Sequence, residues 1–144
     1  DRMKLVEVIT APTTSTETTE HALDLTRRLG KTPIVVSDTP GFVTSRLGLL
    51  LGNEAMRIVE EGVATAEDVD TAMRLGYRHP MGPLELADLV GLDARLNNLI
   101  SVSERTGRPE LAPPRILVEL VEAGRLGRKT GAGFYDYDAD GNRR

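Results

Sequence analysis

The sequence predicts a mainly α protein in which one βαβ unit precedes a helical bundle of about five helices. Two short apolar runs flank an amphipathic segment near the start of the chain, as in a parallel βαβ unit. Beyond Asp38 the apolar residues recur at the three- and four-residue spacing of helices. Six glycines follow helical patterns at positions suited to ending them: 30, 62, 76, 91, 107 and 124.

The βαβ unit begins with the apolar run 5–9, which is typical of a buried parallel strand although Glu7 lies in its middle. A capping sequence at 14–17 introduces a helix, and the run 33–36 forms the second strand. Three apolar positions of this helix are expected to be buried: Ala22, Leu25 and Leu29. Two parallel strands cannot cover both faces of a sheet, so we expect further sheet before residue 1 or from another chain.

The longest helical pattern follows Pro40 and Gly41, which we predict to lie at the boundary between two domains, 1–37 and 38–144. Six apolar positions are expected to form its buried face: Leu47, Leu50, Leu51, Ala55, Ile58 and Val59. A second stripe has almost no side chains: Ser45, Gly48, Gly52 and Ala55. Each helical glycine costs about 1 kcal/mol relative to alanine, so another backbone or a ligand is expected to pack against this stripe.

Four more helical patterns complete the predicted bundle. Thr65 is a predicted N-cap and Pro83 suits a first helical turn. The glycine-rich segment 127–133 does not match a phosphate loop, because it follows no strand and precedes no helix. We interpret it as a flexible C-terminal clasp, within which the cation of Lys129 can approach an anionic cofactor. The tail 136–144 is expected to fray.

Composition excludes several classes of function. A net charge of −4 gives no electrostatic reason to expect a nucleic-acid partner. No apolar run reaches the ~18 residues of a membrane span, so we expect no membrane partner. The sequence has no cysteine, which fits a reducing compartment, and we expect a cytoplasmic protein. It begins with aspartate rather than methionine, so we expect either that residues were removed or that a longer protein contains this chain.

The residues alone provide no complete catalytic set. Glu7 leaves two interpretations open, an edge position or structural salt bridge and a carboxylate that orients a histidine. Glu54 is expected to cap or pair with a neighbouring helix. His21 is expected at the surface and His79 in a loop. No pair of histidines or acids has the spacing of metal ligands, so no metal site is predicted.

Motifs in order along the chain resemble those of 3-hydroxyacyl-CoA dehydrogenases, and the 3-hydroxybutyryl-CoA members are one subgroup that they fit. They lie between residue 3 and about residue 137 and include M-K-L-V-E-V at 3–8, D-T-P-G-F-V at 38–43, P-M-G-P at 80–83 and G-R-K-T-G-x-G-F-Y at 127–135. The resemblance implies a two-domain enzyme, usually dimeric, in which a Rossmann domain binds NAD and a helical domain closes the cleft.

The resemblance also divides the chain. It implies that 1–37 is the end of the NAD-binding Rossmann domain and that 38–144 is the helical dimerisation and substrate domain. NAD is then bound mainly by a domain before residue 1, which also holds the catalytic histidine, and this chain alone is expected to be inactive. An acyl-CoA substrate and a homodimer through the helical domain are implied. The alternative is a non-catalytic helical dimerisation module of the same fold.

Three positions take on roles through the resemblance. Glu7 matches the catalytic acid that pairs with the histidine, which serves as base on the 3-hydroxyl. Lys129 matches a cofactor-binding lysine that reaches the dinucleotide. Ser45 stands where the family usually has asparagine, a polar contact to substrate. Serine keeps a hydroxyl but loses reach, so a water is expected to intervene, or chain-length preference or rate to differ.

Overall fold

The structure, a computed structural model, describes residues 3–144. Asp1 and Arg2, with which the predicted first domain begins, lie outside the described residues. The described part contains two parallel strands and six α-helices, five of which follow the βαβ unit. The predicted fold class is therefore confirmed. None of the helices in this range has the length and apolar character needed to cross a membrane.

The βαβ unit consists of β1 (Leu5–Thr10), α1 (Thr16–Arg28) and β2 (Thr32–Ser37). The bundle helices are α2 (Thr44–Glu60), α3 (Ala66–Gly76), α4 (Pro83–Val90), α5 (Leu92–Thr106) and α6 (Arg115–Glu122). Short 3-10 turns lie at Pro109–Leu111 and Arg128–Thr130. The chain divides into two compact units, an N-terminal unit (Asp1–Arg46) and a helical unit (Leu47–Arg144).

The N-terminal unit is a two-stranded parallel sheet with one helix packed against it. The register runs from Leu5 opposite Thr32 to Thr10 opposite Ser37. The predicted burial of Leu25 and Leu29 is wrong, since their exposed fractions are 52% and 65%. Two strands offer too little surface to cover the apolar face of a 13-residue helix.

The helical unit has a continuous apolar core to which every bundle helix contributes. Six large side chains in it are almost completely buried: Met56, Leu84, Leu92, Leu99, Leu111 and Leu117. The predicted buried face of α2 is only partly correct. Ala55 is buried, but Leu47 is 62% exposed, and Leu49 and Met56 are buried instead. Helix α2 has apolar residues on two faces, and the helices that follow cover only one of them.

At Gly52 the stripe of small residues on α2 packs against a side chain of another helix. The guanidinium of Arg95 on α5 lies across Gly52, where a Cβ atom would overlap it, and its Nη2 donates to the Gly48 carbonyl at 2.7 Å. Arg95 is 5% exposed, and burial lowers its pKa to about 10. Glycine at 52 is therefore required to let this buried cation cross the helix.

Candidate functional site

Glu7 receives a converging set of hydrogen bonds at the start of α2. Its Oε1 accepts from the backbone N–H of Val43 at 3.1 Å and of Thr44 at 3.0 Å. Its Oε2 accepts from the Thr44 hydroxyl at 3.0 Å. Because the first N–H groups of a helix have no partner within the helix, a carboxylate here satisfies otherwise unpaired donors and interacts favourably with the helix dipole.

The loop before α2 is shaped to deliver those N–H groups. Gly41 and Phe42 have consecutive positive φ angles, of 80° and 46°. A left-handed conformation costs a non-glycine residue such as Phe42 about 1–2 kcal/mol. The turn brings the N–H groups of Val43 and Thr44 to the carboxylate of β1, so the P-G-F segment and Glu7 form one structural arrangement.

These contacts favour the ionised form of Glu7. The pKa of its carboxyl is lowered chiefly by the backbone N–H of Thr44, and also by the Thr44 hydroxyl and the N–H of Val43, while desolvation opposes the shift. The first interpretation left open by the sequence was an edge position or a structural salt bridge. The salt bridge is wrong within residues 3–144, because the partners that fix this acid are neutral donors, whereas the edge position stays open, since β1 has one neighbouring strand. A carboxylate has about four lone-pair sites, so one remains for a further donor such as an imidazole.

Ser45 is the second residue of α2 and directly follows the residue that binds Glu7. Its side chain is exposed. The structure thus brings Glu7 and the segment that carries Ser45 together in the N-terminal unit. Lys129 belongs to the helical unit.

The Lys129 ammonium donates to Oδ1 of Asp93 in the first turn of α5, and the side chain is about half exposed. This hydrogen bond is the largest cause of the lowered pKa of the Asp93 carboxyl. An ammonium has three donors, and Asp93 takes one of them. Lys129 therefore fits a contact to an anionic cofactor, with its charge already partly balanced.

The segment around Lys129 is not flexible, contrary to the sequence-based interpretation. The buried carboxylate of Asp88 accepts from the N–H groups of Phe134 and Tyr135, both at 3.0 Å, and from the Tyr137 hydroxyl at 2.9 Å. A Cβ atom at Gly127 or Gly133 would overlap Asp88. The glycine-rich pattern of 127–133 is thus a packing surface around a buried acid.

The prediction that the tail frays is also wrong. Tyr137 is 4% exposed, and the guanidinium of Arg143 lies 4.3 Å from the centre of the Tyr135 ring while pairing with Glu67. A second buried acid, Asp70, binds the Tyr135 hydroxyl at 2.9 Å and the N–H of Leu84 at 2.8 Å. These contacts fix the C-terminal segment to α3, whose Asp70 also binds the start of α4.

The remaining titratable residues considered in the sequence lie at the surface or in a loop. Glu54 is mostly exposed and lies 3.9 Å from Arg57 on its own helix, so the predicted contact to a neighbouring helix is wrong. His21 is exposed and His79 lies in a loop, as expected.

Three residues of these arrangements were not predicted from the sequence: Thr44, Asp88 and Arg95. A charged residue within an apolar helix was the available signal for Asp88. Among residues 3–144 no three metal-binding side chains cluster.

Two family descriptions match consecutive parts of this chain. The NAD binding domain of 3-hydroxyacyl-CoA dehydrogenase matches residues 1–39, and the C-terminal domain of 3-hydroxyacyl-CoA dehydrogenase matches residues 41–137.

Individual relatives agree with these matches. A probable 3-hydroxybutyryl-CoA dehydrogenase of Bacillus subtilis is 47% identical over 94% of this chain and 47% of its own length. The human mitochondrial hydroxyacyl-coenzyme A dehydrogenase is 46% identical over 94% of this chain and 43% of its own length. The crystal structure of (S)-3-hydroxybutyryl-CoA dehydrogenase from Ralstonia eutropha superposes with a TM-score of 0.91 at 42% identity, over 95% of this chain and 48% of that one. The chain spans about half the length of the curated relatives it matches.

Proposed function

This chain belongs to the 3-hydroxyacyl-CoA dehydrogenase family, and we propose that it forms the C-terminal half of an NAD-dependent enzyme that oxidises 3-hydroxyacyl-CoA to 3-oxoacyl-CoA. The observation that carries the proposal is the consecutive match of an NAD-binding segment and a C-terminal segment to residues 1–39 and 41–137. In this proposal 1–37 completes a Rossmann domain and 38–144 is the helical domain. The relatives named 3-hydroxybutyryl-CoA dehydrogenase favour a short acyl chain.

The proposed role of Glu7 follows from its ionised, fixed carboxylate. A histidine supplied by the domain before Asp1 accepts the proton of the substrate 3-hydroxyl, and the Glu7 carboxylate orients its ring and stabilises the resulting positive charge. The chemistry that bound NAD supplies is acceptance of the hydride from the carbon that carries this hydroxyl. The hydrogen bonds from Val43 and Thr44 support this role, because they keep Glu7 an acceptor at neutral pH.

Ser45 and Lys129 have proposed binding roles. Ser45 offers an exposed hydroxyl beside the segment that holds Glu7, where it contacts the substrate directly or through a water. Lys129 offers two remaining donors to the anionic dinucleotide, most of whose binding surface lies in the preceding domain.

A homodimer through the helical domain completes the proposal. Exposed apolar side chains lie on four of its helices: Leu47 and Leu51 on α2, Leu75 on α3, Leu86, Leu89 and Val90 on α4, and Ile100 on α5. Exposed apolar surface of this kind marks protein contacts. Light scattering of this chain at increasing concentration is expected to give twice the monomer mass. Leu89→Asp is expected to shift the chain to the monomer.

The decisive experiment compares this chain with the protein that carries both domains. With NADH and acetoacetyl-CoA, the purified 144-residue chain is expected to show no oxidation of NADH, whereas the two-domain protein oxidises it. In the two-domain protein, Glu7→Gln is expected to lower kcat strongly and Lys129→Ala to raise KM for NADH. Activity of the isolated chain, or a Glu7→Gln variant with unchanged kcat, would contradict the assignment.

The second candidate is a non-catalytic dimerisation module, which the serine at position 45 favours. A two-domain protein that dimerises and binds acyl-CoA but never oxidises NADH would support this candidate against the enzyme.

A further inference from the structure

Thr44 holds both oxygens of the Glu7 carboxylate. Its N–H donates to Oε1 and its hydroxyl to Oε2, each at 3.0 Å. Contacts to both oxygens from one residue fix the rotation of the carboxylate about its last torsion, which is otherwise soft. The N–H of Val43 adds a third bond, to Oε1 only.

The hydroxyl is the part of this arrangement that depends on the residue type. Any residue other than proline supplies the two backbone N–H groups, and they both reach Oε1. Thr44 is the first residue of α2 and exposed, so neither packing nor helix propensity requires threonine there. Without the hydroxyl, Oε2 would have no hydrogen-bond donor among residues 3–144.

We propose that Thr44 is a positioning residue for Glu7. The Thr44 hydroxyl sets the orientation in which the Glu7 carboxylate meets its histidine partner. This inference rests on the proposed function. It extends that function by one residue, which acts through Glu7 and contacts neither substrate nor cofactor.

The surroundings of Glu7 make the effect of one hydroxyl measurable. On β2 its register partner is the apolar Ile34, and from the start of α2 it meets only the neutral donors of Val43 and Thr44. Among the described residues, only hydrogen bonds and desolvation shift the pKa of this carboxyl, and no charged side chain contributes. Removing one donor therefore changes the titration without a compensating ion pair.

The first test uses the 144-residue chain, in which the carboxyl carbon of Glu7 is titrated by NMR. Thr44→Val keeps the shape of the side chain and removes the donor, so the Glu7 titration midpoint is expected to move upward. Thr44→Ser is expected to return it to the wild-type value. Thr16→Val is the matched control, because Thr16 is the first residue of α1 as Thr44 is of α2. Equal midpoints in Thr44→Val and Thr16→Val would overturn the proposal.

The second test follows kcat against pH in the two-domain enzyme. Thr44→Val is expected to lower kcat about three- to tenfold with KM for the acyl-CoA unchanged, and to move the acidic limb of the profile upward. Thr44→Ser is expected to recover both. An active enzyme whose Thr44→Val variant keeps the wild-type kcat and profile would overturn the positioning role. An inactive wild-type enzyme would instead overturn the proposed function, and the NMR titration would still decide whether Thr44 orients Glu7.

Discussion

The N-terminal unit and the helical unit differ most in how much of their own surface they bury. In the helical unit, Leu84, Leu92 and Leu99 are each 0% exposed. In the described part of the N-terminal unit, residues 3–46, only Thr26 is buried. One unit therefore contains its own core, whereas the described part of the other leaves nearly all of its side chains partly or fully exposed.

The difference follows from the kinds of element in each unit. Helices α2 to α6 present apolar stripes that cover one another, so a single chain segment closes the core. A parallel sheet is normally covered on both faces, and two strands with one helix leave Val35 on β2 53% exposed. We infer that the helical unit provides most of the stability of this chain.

The largest expected effect is a cavity in the helical core. Leu99→Ala should lower the free energy of unfolding by about 2–5 kcal/mol, because Leu99 is completely buried. Leu29→Ala in the N-terminal unit should change it by less than about 0.5 kcal/mol, because Leu29 is 65% exposed. Urea unfolding followed by circular dichroism measures both variants. Equal losses of unfolding free energy would show that the two units do not differ in how much their side chains contribute to stability.

The next-largest effect concerns the stripe of small residues on α2, where two alanine variants should change the free energy of unfolding in opposite directions. Gly52→Ala should destabilise the helical unit by about 1–3 kcal/mol, since its methyl group would overlap the Arg95 guanidinium. Gly48→Ala should stabilise it by up to about 1 kcal/mol, because a Cβ atom there meets no other atom within 4 Å. Thermal unfolding of both variants measures the contrast. Destabilisation by both would show that the Gly48 position is also covered.

A smaller, pH-dependent effect is expected from Asp88. Burial raises the pKa of its carboxyl above the usual 3.8, so its contribution to stability is full below pH 3.8 and declines as pH rises through the higher folded pKa. Asp88→Asn should cost about 1–2 kcal/mol at low pH, because an amide nitrogen in place of Oδ2 cannot accept from the Tyr135 N–H, whereas the hydroxyl oxygen of the protonated acid can. Urea unfolding across this pH range measures the difference in unfolding free energy between wild type and Asp88→Asn, which should narrow with rising pH. A difference that widens with pH would contradict the raised pKa of Asp88.

The smallest effect, of opposite pH dependence, is expected from Glu7 in the N-terminal unit. Its hydrogen bonds hold the folded pKa below the usual 4.5, so its contribution is present above pH 4.5 and is lost as pH falls through the folded pKa. The difference in unfolding free energy between wild type and Glu7→Gln should therefore vanish at low pH. A constant difference across the titration would show that the charge of Glu7 does not stabilise the start of α2.

Sequence reasoning succeeded where the determinants were local. Periodicity gave the elements in order, and the predicted cap Thr65 accepts from the N–H of Asp68 at 3.2 Å. Glu7 was recognisable as an acid inside an apolar strand. The choice between the two apolar faces of α2 depends on which helices pack against it, so Leu47 was wrongly placed in the core.

Long-range partners were beyond the local pattern. Asp88 binds N–H groups 46 and 47 residues away, and Arg95 crosses α2 at a carbonyl 47 residues away. The glycines at 52, 127 and 133 are explained only once those partners are known. The same holds for Thr44, because its partner Glu7 lies 37 residues earlier in the chain and the local sequence does not show that the hydroxyl binds it.

Native-state hydrogen exchange on the 144-residue chain tests most directly whether the helical unit is self-sufficient and the N-terminal unit is not. We expect two groups of amides: those of Ile34 and Val36 on β2 should exchange through low-energy local opening, and those of Met56 and Leu99 only through global unfolding. Adding the NAD-binding domain in the same chain should raise protection of the β2 amides selectively. Equal protection of β2 and the bundle core in the 144-residue chain would show that the two units do not differ in stability.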